Sequence, residues 1–344
     1  EPIALGLIAT LPLTYWAALL PFRDWPTATY YVFTFGLGFV IGAALSLIRR
    51  RGHMPLVFVL SFMVVTIAIS VVALDSRLQL STVFGDSPVV AGRFSGVNNV
   101  TFSQLMVATL LIAVFFGKLR ARVRLAAVAA LFVVVALVDG APMWGSDVGG
   151  VLACVPAFGL AFTLLAGWRV RLRTVVWWGL GTIGTVVLLG LLDLTRDPSH
   201  RTHLGRLFEA IGSQGSGGFT TVVNRKLDAN LATLSHSVWR ITIVPMALFA
   251  LYVSWWAPER LAALRARLPA LRACLIGIAV VAVLGYALND SGIAIPGVML
   301  SVLMPAMVFL LIRTPAPPAE ARPASLATDS GAAGGVATGL FRSS

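Results

Sequence analysis

Two carboxylates, Asp139 and Asp147, bracket the segment DGAPMWGSDVGG at 139–150. Two acids held across a short turn can act as general acid and base, or hold a cation between them. Gly149 and Gly150 follow directly and allow close approach of a backbone or a ligand. Asp139 stands at the end of an apolar run, where a charge is expensive and marks function by default. The plainer alternative is a tight turn in which Asp147 caps the next helix and Trp144 sits at a membrane interface. A second group lies in AGRFSGVNN at 91–99, where Arg93, Asn98 and Asn99 precede another apolar run. A guanidinium and two amides at a helix N-terminus can hold an anion, and the free N–H groups and the helix dipole add to the attraction. The same residues also suit a turn with an Asn cap. A third group comes from a long polar loop, with His203 and Arg206 in HLGRLFEAI and Lys226 in RKLDANL. Arginine offers phosphate a fixed charge and a bidentate fork. We therefore take Asp139, Asp147 and His203 as candidate catalytic groups. Arg93, Asn98, Asn99, Arg206 and Lys226 are the candidate substrate-binding groups.

Other motifs are weaker. His200 and His203 have H-x-x-H spacing, but no third ligand is near in sequence and zinc needs three or four. The glycine-rich run GSQGSGG at 212–218 lacks the Lys-Ser/Thr ending of a phosphate loop. Cys154 and Cys274 fall within apolar runs and read as small packing residues. We expect no metal and no cofactor.

The elements that position these groups follow from composition. Of 344 residues, 58% are hydrophobic and only 12% charged, against about 25% charged in a soluble domain. The net charge of +12 sits in short arginine clusters between apolar runs. That pattern encodes membrane topology, and no nucleic-acid partner is expected. Ten runs near the length of a bilayer crossing lie at about 3–20, 28–48, 54–74, 97–117, 125–138, 149–167, 174–193, 241–256, 273–289 and 293–312. The fifth, 125–138, is short for a full crossing. The expected fold is all-α, a polytopic integral membrane protein of about ten transmembrane helices.

One set of loops carries 15 basic residues and the opposite set nine, while ten of the 14 acids fall on the second side. By the positive-inside rule the first side is cytoplasmic, which puts both ends of this chain there. The membrane domain spans 1–313. Residues 314–344, rich in Pro, Ala, Gly and Ser, read as a disordered cytoplasmic tail. The outer loop at 194–240 is long enough to be functional. Leu204, Leu207, Phe208 and Ile211 form one helical stripe. Phe219, Val222, Val223, Leu227, Leu231 and Leu234 resume the spacing after the glycine-rich break. We expect two amphipathic helices at the outer interface, hinged at 212–218, that either form a lid over a cavity between the spans or make a plain surface pair shielding the bundle end. Within the spans Gly38 and Gly42 form a small-xxx-small pair, and Gly36, Gly181, Gly184 and Gly190 are further candidates for close helix packing. No charge falls near the middle of a span, which argues against ion-coupled transport.

Over about residues 90–240 the segments GRFSGVNN, DGAPMWGSDVGG, HLGRLFEAI and RKLDANL resemble a group of uncharacterised bacterial envelope proteins. In that group a multi-span membrane domain follows an extracytoplasmic domain similar to alkaline phosphatases. The resemblance, with Glu rather than Met at position 1, leads us to expect that such a domain is missing from this chain. A second resemblance is to the O-antigen ligase and polymerase family, integral membrane glycosyltransferases that use polyprenyl-pyrophosphate-linked sugars. Arg93, Gly96 and Asn99 match its Arg–Gly–Asn-rich span start, and Arg206, Gly215 and Gly217 its outer-loop helix and glycine turn. The family's Pro–Asn pair is absent, since Val97 precedes Asn98–Asn99, and the outer loop is short for it.

These readings lead to an envelope-biogenesis membrane domain of the bacterial inner membrane. Its expected partners are membrane lipids and a lipid-linked glycan or phospholipid substrate, bound at the extracytoplasmic face. A transporter or lipid flippase with a loop lid, and a non-catalytic anchor or scaffold, are the alternatives.

Overall fold

The computed structural model describes residues 1–48, 52–80, 82–83, 95–214, 241–255, 258–289 and 291–314. Arg93, Lys226, the second half of the long loop and the tail from 315 lie outside the described residues. Among those described there is no strand, and the fold is all-α. The helices are α1 (Pro2–Trp16), α2 (Thr27–Ser46), α3 (Met54–Ala73), α4 (Asn99–Val114), α5 (Ala121–Gly140) and α6 (Val148–Leu165). They continue as α7 (Leu172–Leu194), α8 (His203–Gln214), α9 (Ile243–Trp255), α10 (Pro258–Arg267), α11 (Ala270–Leu288) and α12 (Ala294–Ile312).

Nine of the described helices, α1 to α7 with α11 and α12, are long and apolar enough to cross a bilayer. The segment between 214 and 258 connects opposite ends of the bundle. The helix α8 packs on the end of α7 that bears Asp193, through a bond from Gly205 N–H to that carboxylate. At the opposite end, Arg267 on α10 shares a cavity with His53, beside the start of α3. The helix α9, with 13 residues, lies in this connecting stretch. The protein is thus a multi-pass membrane protein, with nine such helices among the described residues.

One expectation is corrected. The fifth span is not short, since α5 has 20 residues and begins at Ala121. The apolar reading stops at Arg122 and Arg124, yet both lie inside the first turn of the helix. Arginines at a span end keep the helix while their heads reach towards water.

The core sits around α4, whose residues from Thr101 to Val114 are all buried. The helices α3, α5, α6, α11 and α12 pack around it, α1 joins through α3 and α12, and α2 packs on α1. By contrast α2 buries only Thr34, Gly38 and Gly42. Its remaining surface is apolar and open, with Val32 at 73% exposure and Val40 at 64%. On α7, Ile183 and Leu188 are likewise exposed. Faces this apolar are matched by lipid chains and not by water. Exposed tryptophans mark both interfaces, Trp25 at one end and Trp168 and Trp255 at the other.

The glycines divide by contact. A Cβ on Gly42 would meet Gly6 N at 2.5 Å and Gly6 Cα at 2.8 Å, and one on Gly38 would run into Thr10. These two therefore let α2 lie backbone to backbone on α1. A Cβ on Gly190 would stand 2.7 Å from the Phe208 ring of α8. Gly36, Gly181 and Gly184 have nothing within 4 Å, so they do not serve the close packing expected of them.

Candidate functional site

The turn joining α5 to α6 brings the two carboxylates together. The Asp147 N–H donates to the Asp139 carbonyl at 3.0 Å, and Ser146 N–H to Ala141 at 3.1 Å. Ser146 takes a positive φ of 52° to close the loop. Gly145 has to be glycine, because a Cβ there would strike the Asp139 carbonyl. The turn is braced from α4's side, where Val97 N–H donates to Gly145 at 2.7 Å.

Both side chains then turn over Gly150, in the first turn of α6. A Cβ on Gly150 would collide with Asp139 Oδ2 and lie 2.7 Å from Asp147 Oδ2. The two oxygens therefore flank one point, which only a glycine leaves open. Asp139 is fully buried and Asp147 is 3% exposed. Asn289, at the C-terminus of α11, closes the group: a Cβ on Gly149 would sit 2.9 Å from its Oδ1. Beneath lies Cys154, also buried. The N-terminus of α6 faces the carboxylates, and its dipole favours negative charge there. Such a site draws a cation, an ammonium group or a hydroxyl proton.

The capping alternatives separate the same way. Asn98 is a cap, since its Oδ1 accepts from Thr101 N–H at 2.7 Å. Asp147 holds the N-cap position of α6 without making a side-chain cap bond. Asn99 donates through Nδ2 to Ser291 Oγ, tying α4 to the start of α12. Behind Asn98 a polar network runs inward. The Asn98 N–H donates to Gln79 Oε1 at 3.3 Å. The Tyr15 hydroxyl donates to Gln104 Oε1 at 2.8 Å and meets Thr101 Oγ1 at 3.1 Å. With those oxygens engaged, the amide nitrogens of Gln79, Asn98 and Gln104 are buried with no acceptor among the described residues. Buried donors of this kind are commonly met by ordered water.

The long loop is anchored by Asp193, fully buried at the end of α7. Its Oδ2 accepts from Thr202 N–H at 2.9 Å, Thr202 Oγ1 at 2.6 Å and Gly205 N–H at 2.9 Å. It thereby acts as a remote cap for α8. Arg196 donates to Asp193 Oδ1 at 3.3 Å and to the Pro142 carbonyl at 2.7 Å, which ties this anchor to the carboxylate turn. Arg201 bonds Glu209 and the carbonyls of Leu194 and Arg196. Between them, the Ser199 hydroxyl and N–H hold the exposed Asp197 carboxyl below its ordinary pKa.

The first of the two amphipathic helices expected in the loop is present as α8. Leu204 and Phe208 pack with Val151 and Leu189. The side chains of Leu207 and Ile211 lie outside the described residues, as does the second helix. His203 and Arg206 are exposed on α8, while Asp139 and Asp147 are buried. Of the candidate groups, His203 and Arg206 are thus set apart on the exposed surface of α8 from the buried acidic pair.

Below the carboxylates an apolar groove of about 340 Å³ runs between α5, α6 and α7. Phe132 and Phe158 stack along it at 4.4 Å, and Trp178 closes its far end against Gly159. Trp178 is fixed by its Nε1–H, which donates to Thr163 at 3.0 Å. Val133, on the rim, is 58% exposed, so the groove opens sideways to the bilayer. At its upper end Leu189 packs on Val151, and both also crowd Gly140. That contact separates the groove from the carboxylates.

Sequence reasoning missed Asn289, Gln79, Tyr15 and the anchoring role of Asp193. The signal for Asn289 is the run Asn289–Asp290–Ser291, a polar break between two apolar runs. Among the described residues no three His, Cys, Asp or Glu side chains come together as a metal site would need. The chain matches no protein-family model, no curated protein and no solved structure.

Proposed function

We propose that this chain is a bacterial envelope-biogenesis domain of the inner membrane that binds a lipid-linked anionic substrate at its acidic end. That end faces out of the cell, because the arginine clusters lie at the other. The observation that carries the reading is a buried carboxylate pair over a glycine, one helical turn above an apolar groove open to lipid. A polyisoprenoid or acyl chain enters the groove between α5 and α7. Its phosphate rises past Leu189 towards α8, where Arg206 and His203 stand exposed. Asp139 and Asp147 then face a hydroxyl of the carried group, which they orient or deprotonate. The buried, glycine-lined setting keeps them in place for that task.

Undecaprenyl phosphate is the probe. Native mass spectrometry of the protein in mild detergent measures how much of it stays bound. Arg206→Ala lowers retention about tenfold, the effect of one lost charge-assisted contact. Filling the groove with Val133→Trp removes retention, while Val32→Trp on the lipid face of α2 leaves it unchanged. Equal retention by all four proteins would defeat the proposal. A flux of the same lipid between leaflets of proteoliposomes, undiminished by Asp139→Asn and Asp147→Asn together, would favour a flippase instead.

A further inference from the structure

The end of the molecule opposite the carboxylates carries a second cavity, of about 580 Å³. It opens among the starts of α3 and α5, the ends of α4 and α6, and the α10–α11 junction. Three cationic or titratable side chains reach it from separate elements: His53, Arg124 and Arg267. The rest of the wall is apolar, including Val57, Val114, Leu164 and Ala273. Phe115 packs beside His53, with ring centres 5.6 Å apart.

Among the described residues no acid lines this cavity. Arg124 Nε is buried and has no acceptor among the described residues. A guanidinium offers five N–H donors and no acceptor, so burying part of it calls for an anionic partner. The described acids at this end are Glu1 and Glu259. Glu1 is held by Arg313 at 2.9 Å, and neither acid lines the cavity. The volume lies within the range of about 300–1,000 Å³ of small-molecule sites. Its depth also fits: exposed Trp168 and Trp255 place this end at a membrane interface. Basic pockets between helices at that level take lipid headgroups.

We propose that this cavity binds the phosphate headgroup of an anionic lipid, with the phosphate between Arg124 and Arg267 and the first carbons of the chains along Val57 and Leu164. The bound lipid clamps α10 to the bundle, since Arg267 belongs to that helix and Arg124 to α5.

The test is native mass spectrometry of the full chain with phosphatidylglycerol, phosphatidylcholine or inorganic phosphate added separately. The wild type retains one phosphatidylglycerol in preference to phosphatidylcholine. Arg124→Gln and Arg267→Gln each weaken that retention about tenfold. Arg267 is exposed, so its variant probes the site without unmaking a buried contact. Arg122→Gln, in the same first turn of α5 but outside the cavity, leaves retention unchanged. Equal retention of the two lipids, or an equal loss in Arg122→Gln, would overturn the proposal. Arginine-dependent binding of inorganic phosphate without lipid preference would also overturn it, in favour of a free anion. None of these variants touches the acidic end, so undecaprenyl phosphate retention reports separately on the site there.

Discussion

The chemistry of single residues here depends on what cannot fit as much as on what is present. Gly150 leaves the point between Asp139 and Asp147 open, and Gly145 lets the turn close. Gly150→Ala forces both carboxylates apart. It should destabilise the protein by about 1–3 kcal/mol, the usual cost of overpacking, read as a lowered melting temperature in detergent. Asp193 makes a different prediction, because it satisfies three donors of the α8 N-terminus and its preceding loop. Asp193→Ala leaves those donors without their acceptor, at a cost of about 2–3 kcal/mol. Limited proteolysis should then cut within 203–214 while the spans stay intact, and unchanged protection of that segment would refute the anchoring role. The paired acids are legible in the sequence, since two carboxylates and two glycines beside an apolar run stand out by type. Asn289 shows only as part of a polar break between apolar runs, and its place beside the acids does not, because its neighbours in space come from residues far away in the chain. Asp193 reads as one more acid at a span end, and its role emerges only when Thr202 and Gly205 fold back on it.

At the scale of elements, apolar runs show that a helix crosses the bilayer but not which face meets its neighbour. In water an apolar stripe marks the buried side. Here lipid accepts the other sides equally well, and α2 is apolar all round while burying three residues. Gly38 and Gly42 are readable as a packing pair because their spacing puts both on one face. The same reasoning over-reads Gly36, Gly181 and Gly184, which face open space. Paired substitutions separate the two cases. Gly42→Leu drives a side chain into the backbone of α1 and should cost about 3 kcal/mol or more. Gly36→Leu should change stability by less than about 0.5 kcal/mol. Thermal unfolding of both variants in the same detergent checks this, and equal melting points would contradict the α1–α2 contact. The charged ends of helices are a further blind spot, as α5 shows by continuing through Arg122 and Arg124.

Across the whole molecule, two ends of opposite character are separated by an apolar belt. One holds the carboxylates, the polar network and α8; the other holds arginines and the cavity at Arg124. The charge asymmetry was plain in the sequence. The groove between α5 and α7 was not, because it is a shape formed by three helices and no local pattern encodes it. With the acidic end facing out of the cell, a cysteine placed by Ser199→Cys should react with an impermeant maleimide added outside spheroplasts. One placed by Arg122→Cys should react only after lysis, and Cys154 and Cys274, both buried, should stay silent. The most direct test of the central claim is photocrosslinking with a diazirine-bearing polyprenyl phosphate, followed by peptide mapping. The account predicts adducts on α5 to α7 around Phe132, Val133 and Phe158, reduced by Val133→Trp. Adducts spread equally over the exposed faces of α2 and α3 would contradict it, and would leave the groove as ordinary lipid-facing surface.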